Sequence, residues 1–98
     1  MADFHNESVK RLYKVISELK TEKDCADFLE DLCTIKEIQD MAQRLETAIL
    51  LKLGENYQTI FEKVGVSSAT ISRVSRCLNY GTGGYQKVVS SLIKDEKN

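Results

Sequence analysis

Proline is absent from this chain, and glycine is scarce: five in 98 residues, three of them grouped at Gly81, Gly83 and Gly84. With no proline to break a helix, the pattern points to long uninterrupted helices and an all-α fold. Long apolar runs are missing too. No stretch reaches the length of a membrane span, and no signal peptide, low-complexity tract or internal repeat is recognisable. The chain is therefore expected in the cytoplasm, with no membrane partner. Histidine occurs once, as His5. The cysteines Cys25, Cys33 and Cys77 are odd in number, lack paired metal spacing and fall in helical patterns, so buried free thiols are expected. No carboxylate pair is isolated in an apolar setting. The run Gly81-Thr82-Gly83-Gly84 lacks the lysine and the strand that a phosphate cradle needs. An enzyme is not expected, nor is a cofactor or a metal.

A surplus of positive charge is also lacking, since 14 Lys+Arg face 15 Asp+Glu and the isoelectric point is about 5.8. A protein that coats nucleic acid by charge alone is excluded, but a local basic face is not. The charge is unevenly spread: residues 1–33 carry a net −3, residues 34–53 carry 0 and residues 54–98 carry +2. Between Tyr57 and Lys87 only Glu62 opposes Lys63, Arg73, Arg76 and Lys87.

About 42% apolar content gives a chain of this length one modest core, and a domain so small gains by burying more surface in an oligomer. Six helices are expected. Phe4, Val9, Leu12, Tyr13, Ile16 and Leu19 make a first helical stripe. Thr21 caps a second helix with Ala26, Phe28, Leu29, Leu32 and Cys33. Thr34 opens a long third helix through a capping box with Glu37, and its stripe runs through Ile35, Ile38, Met41, Ala42, Leu45, Ala48 and Ile49 to Leu53, where Gly54 stops it. A connector at residues 79–84 precedes a last amphipathic helix with Tyr85, Val88, Val89, Leu92 and Ile93. One domain over residues 1–98 is expected, divided into dimerisation helices at 1–54, a helix-turn-helix at 56–79 and a C-terminal helix at 83–95. A lone chain could not cover all the apolar stripes, so the first three helices and the last are candidates for a homodimer interface.

The segment from Tyr57 to Arg76, YQTIFEKVGVSSATISRVSR, reads as two short helices bent around Gly65. Ile60 and Val64 supply the inward positions of the first. Gly65 takes the turn, Val66 follows as an apolar plug, and Ser67 restarts the chain as an N-cap. On a wheel of about 100° per residue the second helix sets Ile71, Val74, Cys77 and Leu78 on a packing arc and Ser68, Ala69, Ser72, Arg73, Arg76 and Asn79 on the opposite one. Small residues at its start let the backbone approach base edges, and the arginines reach phosphates or guanine. This is the grammar of a helix-turn-helix that lays its second helix in the major groove of double-stranded DNA. Phe61, where such units carry a small residue, is expected in the core. Tyr57 and Tyr80 flank the motif, each packing its ring and either wetting its hydroxyl or meeting a phosphate.

The strings FLEDLCTIKEIQDMAQRLE, GVSSATISR and RCLNYG, in this order of elements, resemble the tryptophan-repressor superfamily and within it the YerC/YecD branch of small bacterial Trp-repressor-like proteins. The likeness spans residues 4 to 94. It implies an intertwined all-α homodimer with one DNA-reading head per chain and a transcriptional regulator, a repressor by family habit. By position it implicates Ser67, Ser68, Ala69, Thr70, Ser72 and Arg73 in the groove, with Arg76 on phosphate. Two other readings stay open on the residues: a DNA-recognition subunit of a mobile-element transposase, and a protein-interaction module that kept the fold without DNA binding. Against the former, the segment from Tyr85 to Ile93 is too short for the several heptads of a stable zipper.

The same resemblance places Thr34, Arg44 and Arg73 on the threonine and two arginines that line the family's tryptophan pocket. The sequence departs from the family at two neighbouring positions. Val74 replaces the glycine that leaves room for the indole, and Cys77 replaces the serine that helps hold the amino group. Overfilling such a slot costs about 1–3 kcal/mol. Tryptophan is not the expected effector, and no other small molecule is named by the chain. Apart from the pocket, Thr34 is read as a helix cap and Arg44 as a solvated or ion-paired residue.

Overall fold

In the computed structural model, which describes residues 4–97, six helices follow one another: α1 Glu7–Ser17, α2 Glu22–Leu32, α3 Ile35–Lys52, α4 Tyr57–Val64, α5 Ser68–Tyr80 and α6 Gly84–Lys97. There is no strand among the described residues, in keeping with the 3.6-residue apolar periodicity of the sequence. None of the helices is long and apolar enough to cross a membrane.

The starts of the helices are written in the sequence. Asn6 accepts from the Val9 amide at 3.0 Å, Thr21 from Asp24 at 3.0 Å and Asn56 from Thr59 at 2.9 Å, so each cap satisfies one orphan donor. At α3 the box is reciprocal: the Thr34 amide donates to Glu37 Oε1 at 2.8 Å and the Glu37 amide donates to Thr34 Oγ1 at 3.1 Å. The other end of α3 closes with the Gly54 amide on Leu51 O and the Glu55 amide on Leu50 O, both 3.0 Å, the paired bonds of a Schellman turn.

The chain divides into two compact units, one up to Ile38 and one from Gln39 onward. In the first, neither α1 nor α2 buries a single residue fully. Phe4, Tyr13, Ile16, Leu32 and Ile35 stand exposed, Ile35 at 76%. The second unit holds the core. Ala48 of α3, Val74 of α5 and Val89 of α6 meet at its centre with Leu45, Ile49, Leu51, Tyr85 and Ile93 around them. A second cluster joins Ile60 of α4, Val66 of the turn and Ile71 of α5, closed by Leu50, Leu51 and Val64. Thr47 is the one buried polar residue among those described, and its hydroxyl donates to Gln43 O at 2.7 Å, which removes the cost of an unpaired group. Gln86 ties the elements together, accepting from Lys52 Nζ at 2.9 Å and donating to Leu78 O at 3.0 Å.

Three expectations need correction. The cysteines are free, but Cys25 and Cys33 are only half-buried and Cys77 is exposed. The inward arc of α5 is set by Ile71, Val74 and Leu78, and Cys77 lies about 60° beyond Val74, off its edge. The connector is shorter than residues 79–84, because α5 runs on to Tyr80. Asn79 stays helical, its Nδ2 donating to Ser75 O at 2.9 Å. The helix ends at Gly81, where a Cβ would collide with the Cys77 carbonyl. Phe61, expected in the core, is 54% exposed. The inward stripe of α4 is Ile60 and Val64, and the next residue after Ile60 is turned about 100° away from it.

Candidate nucleic-acid interface

The candidate interface is built by α4, the three-residue turn and α5. Gly65 ends α4 with φ 85° and ψ 20°, the left-handed conformation that costs least without a Cβ. Its amide donates to Phe61 O at 2.9 Å. The next residue, Val66, turns inward and is 7% exposed, pinning the turn between the two helices. Ser67 then caps α5, its Oγ accepting from the Thr70 amide at 3.2 Å. A left-handed glycine, an apolar plug and a cap in consecutive positions thus set the angle at which α5 leaves α4.

Burial sorts the residues of α5 cleanly. Ile71, Val74 and Leu78 are buried. Ser68, Ala69, Ser72, Arg73 and Arg76 are all exposed, as is Ser67 before them. Thr70 is half-buried, and its hydroxyl accepts from Ser67 Oγ at 3.2 Å. The exposed set spans one face of the helix, with short side chains near its start and both guanidinium groups further along. Among the described residues no carboxylate pairs with Arg73 or Arg76. Lys63, at the end of α4, lies 3.8 Å from Glu55, and both side chains are open to solvent. Such an exposed pair is worth little and leaves the lysine available to a stronger anion.

Two aromatic residues of α4 also stand on this surface: Tyr57, expected to flank the motif, and Phe61, expected in the core. Tyr57 accepts from Ser72 Oγ in a long contact of 3.4 Å, and Phe61, one helical turn on, lies on the same flank of α4. With Gln58, Ser67, Ser68 and Ile71 they line a concavity of about 360 Å³. The signal was present in their spacing of four, beside rather than within the Ile60 and Val64 stripe. Tyr80, at the far end of α5, is exposed.

The residues placed on a tryptophan pocket by resemblance fall as follows. Thr34 lies in the first unit, with its hydroxyl and amide engaged in the capping box. Arg44, Arg73, Val74 and Cys77 lie in the second. Arg44 is half-buried on α3, while Arg73 and Cys77 are exposed. Val74 is 2% exposed and packs against Ala48 and Val89 in the core. A separate hollow of about 340 Å³ opens between α3 and α4, lined by Ala42, Gln43, Glu46, Leu50, Lys63 and Val64.

Comparison with known proteins agrees with this architecture. The family model described as Trp repressor protein matches residues 7–93. The uncharacterised protein YerC of Bacillus subtilis (strain 168) is 46% identical over 86 residues, which is 88% of this chain and 83% of YerC. Among solved structures, a TrpR-like protein from Eubacterium eligens ATCC 27750 superposes with a TM-score of 0.85 at 45% identity, covering 90% of this chain and 91% of that one. A candidate Trp repressor from Staphylococcus aureus does so with a TM-score of 0.85 at 38% identity, covering 90% and 88%.

Proposed function

The chain belongs to the Trp repressor protein family, and from that premise we propose that it is a sequence-specific DNA-binding transcriptional regulator. It works as a homodimer and represses by occupying its site. The observation that carries the reading is the division of α5. Ile71, Val74 and Leu78 anchor the helix in the core, while Ser68, Ala69, Ser72, Arg73 and Arg76 are exposed, and no carboxylate among the described residues pairs with either arginine. A helix held on one side and offering short polar residues and unpaired guanidinium groups on the other suits the major groove. Ser67, Ser68, Ala69, Thr70 and Ser72 then approach base edges, Arg73 reaches a base or a phosphate, and Arg76 takes phosphate.

The dimer follows from the first unit, where α1 and α2 bury no residue fully and leave Phe4, Tyr13, Ile16 and Leu32 exposed. Apolar surface on that scale in so small a chain supports an interface with a second copy. Two copies give two reading helices, and hence a two-fold symmetric site. Tryptophan is not the effector: the Val74 side chain belongs to the core with Ala48 and Val89, and Cys77 offers a thiol where the pocket needs a hydroxyl.

Selection of bound sequences from random DNA with the purified protein tests the reading. A symmetric site with half-sites about one helical turn apart is expected. Failure to enrich any sequence, together with salt-independent behaviour toward random duplex, would instead favour an interaction module that has lost DNA binding.

A further inference from the structure

Phe61 is more than half exposed on α4 although nothing in its own helix requires it there. With Tyr57 one turn before it, it walls a concavity of about 360 Å³ whose other lining is Gln58, Ser67, Ser68 and the buried Ile71. Three of the four polar side chains around it are already engaged: Gln58 Nε2 donates to Glu62 Oε1 at 2.9 Å, Ser67 Oγ accepts from the Thr70 amide, and Tyr57 Oη accepts from Ser72 Oγ, with Ser68 at the rim. What remains is an apolar shelf touching the start of the helix whose exposed residues face DNA in the reading above. A phenyl ring has no donor for a phosphate, and it gains nothing from water. Along the major groove the apolar group offered by a base edge is the thymine 5-methyl, and a phenylalanine is one of the side chains suited to meet it.

We propose that Tyr57 and Phe61 form a shelf that receives a thymine 5-methyl group in each half-site, next to the bases met by Ser67 and Ser68. The inference rests on the DNA-reading role given to α5. It adds a specificity determinant on the first helix of the motif, where positioning contacts to the backbone are the ordinary task.

The test begins with a site recovered by selection and replaces each thymine in turn by deoxyuridine, which deletes the methyl and leaves the hydrogen-bonding edges intact. Wild-type protein loses about fourfold in affinity per half-site at one thymine position, the worth of one buried methyl-sized group. Phe61→Ala binds the thymine site about as weakly as the wild type binds the uracil site, no longer distinguishes the two, and keeps its affinity for random duplex. Because Phe61 lies at the surface, the melting temperature of the variant is unchanged. Three results overturn the proposal: a flat thymine-to-uracil profile in the wild type, an equal methyl effect in Phe61→Ala, or a Phe61→Ala variant altered in oligomeric state and not in DNA binding, which would make the shelf a protein contact. In those cases the regulator reading survives. If selection enriches no sequence at all, that reading falls and the shelf falls with it.

Discussion

Arg76 and the serines of α5 share one exposed face, yet they differ in what they can exchange with DNA. Arg76 sits in the second half of the helix, where on the proposed reading a long cation would meet the backbone, and phosphate contacts serve every sequence alike. Arg76→Ala is expected to weaken specific and random DNA together and to flatten the salt dependence by about one unit of slope per head. Ser68 and Ser72 lie nearer the start, where base edges are in reach. A bulkier residue at either should cost specific binding about 1–3 kcal/mol per disturbed base pair and change random-sequence affinity little. Titration against a selected and a scrambled site at two salt concentrations separates these effects. Equal loss of both kinds of binding in the serine variants would mean that the helix is not seated as proposed. Val74 makes a further residue-scale claim. With its side chain spent in the core cluster, millimolar tryptophan is expected to leave the melting temperature and DNA affinity unchanged. A ligand at a hundred times its Kd would add about 2.7 kcal/mol, so a clear upward shift is the observation that would restore the pocket.

At the scale of the elements, the angle between α4 and α5 depends on three consecutive residues, each for a separate reason. Gly65 has φ 85°, and beyond its two chain neighbours no described atom lies within 4 Å of where its Cβ would stand. Replacing it with alanine therefore costs backbone conformation alone, about 1–2 kcal/mol, with no clash to relieve. Denaturant unfolding should show that loss at an unchanged slope. Asn56 offers a control at the other end of α4, where its side chain accepts from the Thr59 amide and is not among the residues assigned to DNA. Asn56→Ala should cost about 1 kcal/mol of stability and leave the DNA affinity of the folded protein alone. If Asn56→Ala weakened DNA binding as strongly as a serine variant, the division between framework and reading face would be mistaken.

The whole molecule carries a net charge of −1 and exposes much of its N-terminal apolar surface. The same features predict what it does in solution. Sedimentation should find a dimer, with a melting temperature that rises with protein concentration because association and folding are linked. Ile16→Glu, a charge on the exposed side of α1, should drive the chain toward monomer and lower the melting temperature. A stable monomer of unaltered melting behaviour at micromolar concentration would remove the dimer from the proposal. On the proposed reading, DNA binding should fall steeply with salt despite the acidic isoelectric point, since the local cations Lys63, Arg73 and Arg76 would meet the phosphates and the average charge of the chain would not.

What the sequence determined by itself was local. The N-caps at Thr21, Thr34 and Ser67, the left-handed turn at Gly65, the plug at Val66 and three of the four expected inward residues of α5, Ile71, Val74 and Leu78, follow from hydrogen-bond arithmetic and helical periodicity within a few residues, and these are present in the structure. Tertiary structure decided which members of a stripe find a partner. Cys77 and Phe61 sit at the margins of their apolar arcs, where a rotation of 60 to 100° separates core from solvent and only the neighbouring helices choose between them. Ile35 and Ala48 read alike on the stripe of α3, yet one is 76% exposed and the other fully buried. α5 and α6 supply atoms to Ala48 through Val74 and Val89, whereas burial of Ile35 requires surface that lies outside its own periodicity. Periodicity tells a residue which way to face, and only packing supplies something to face.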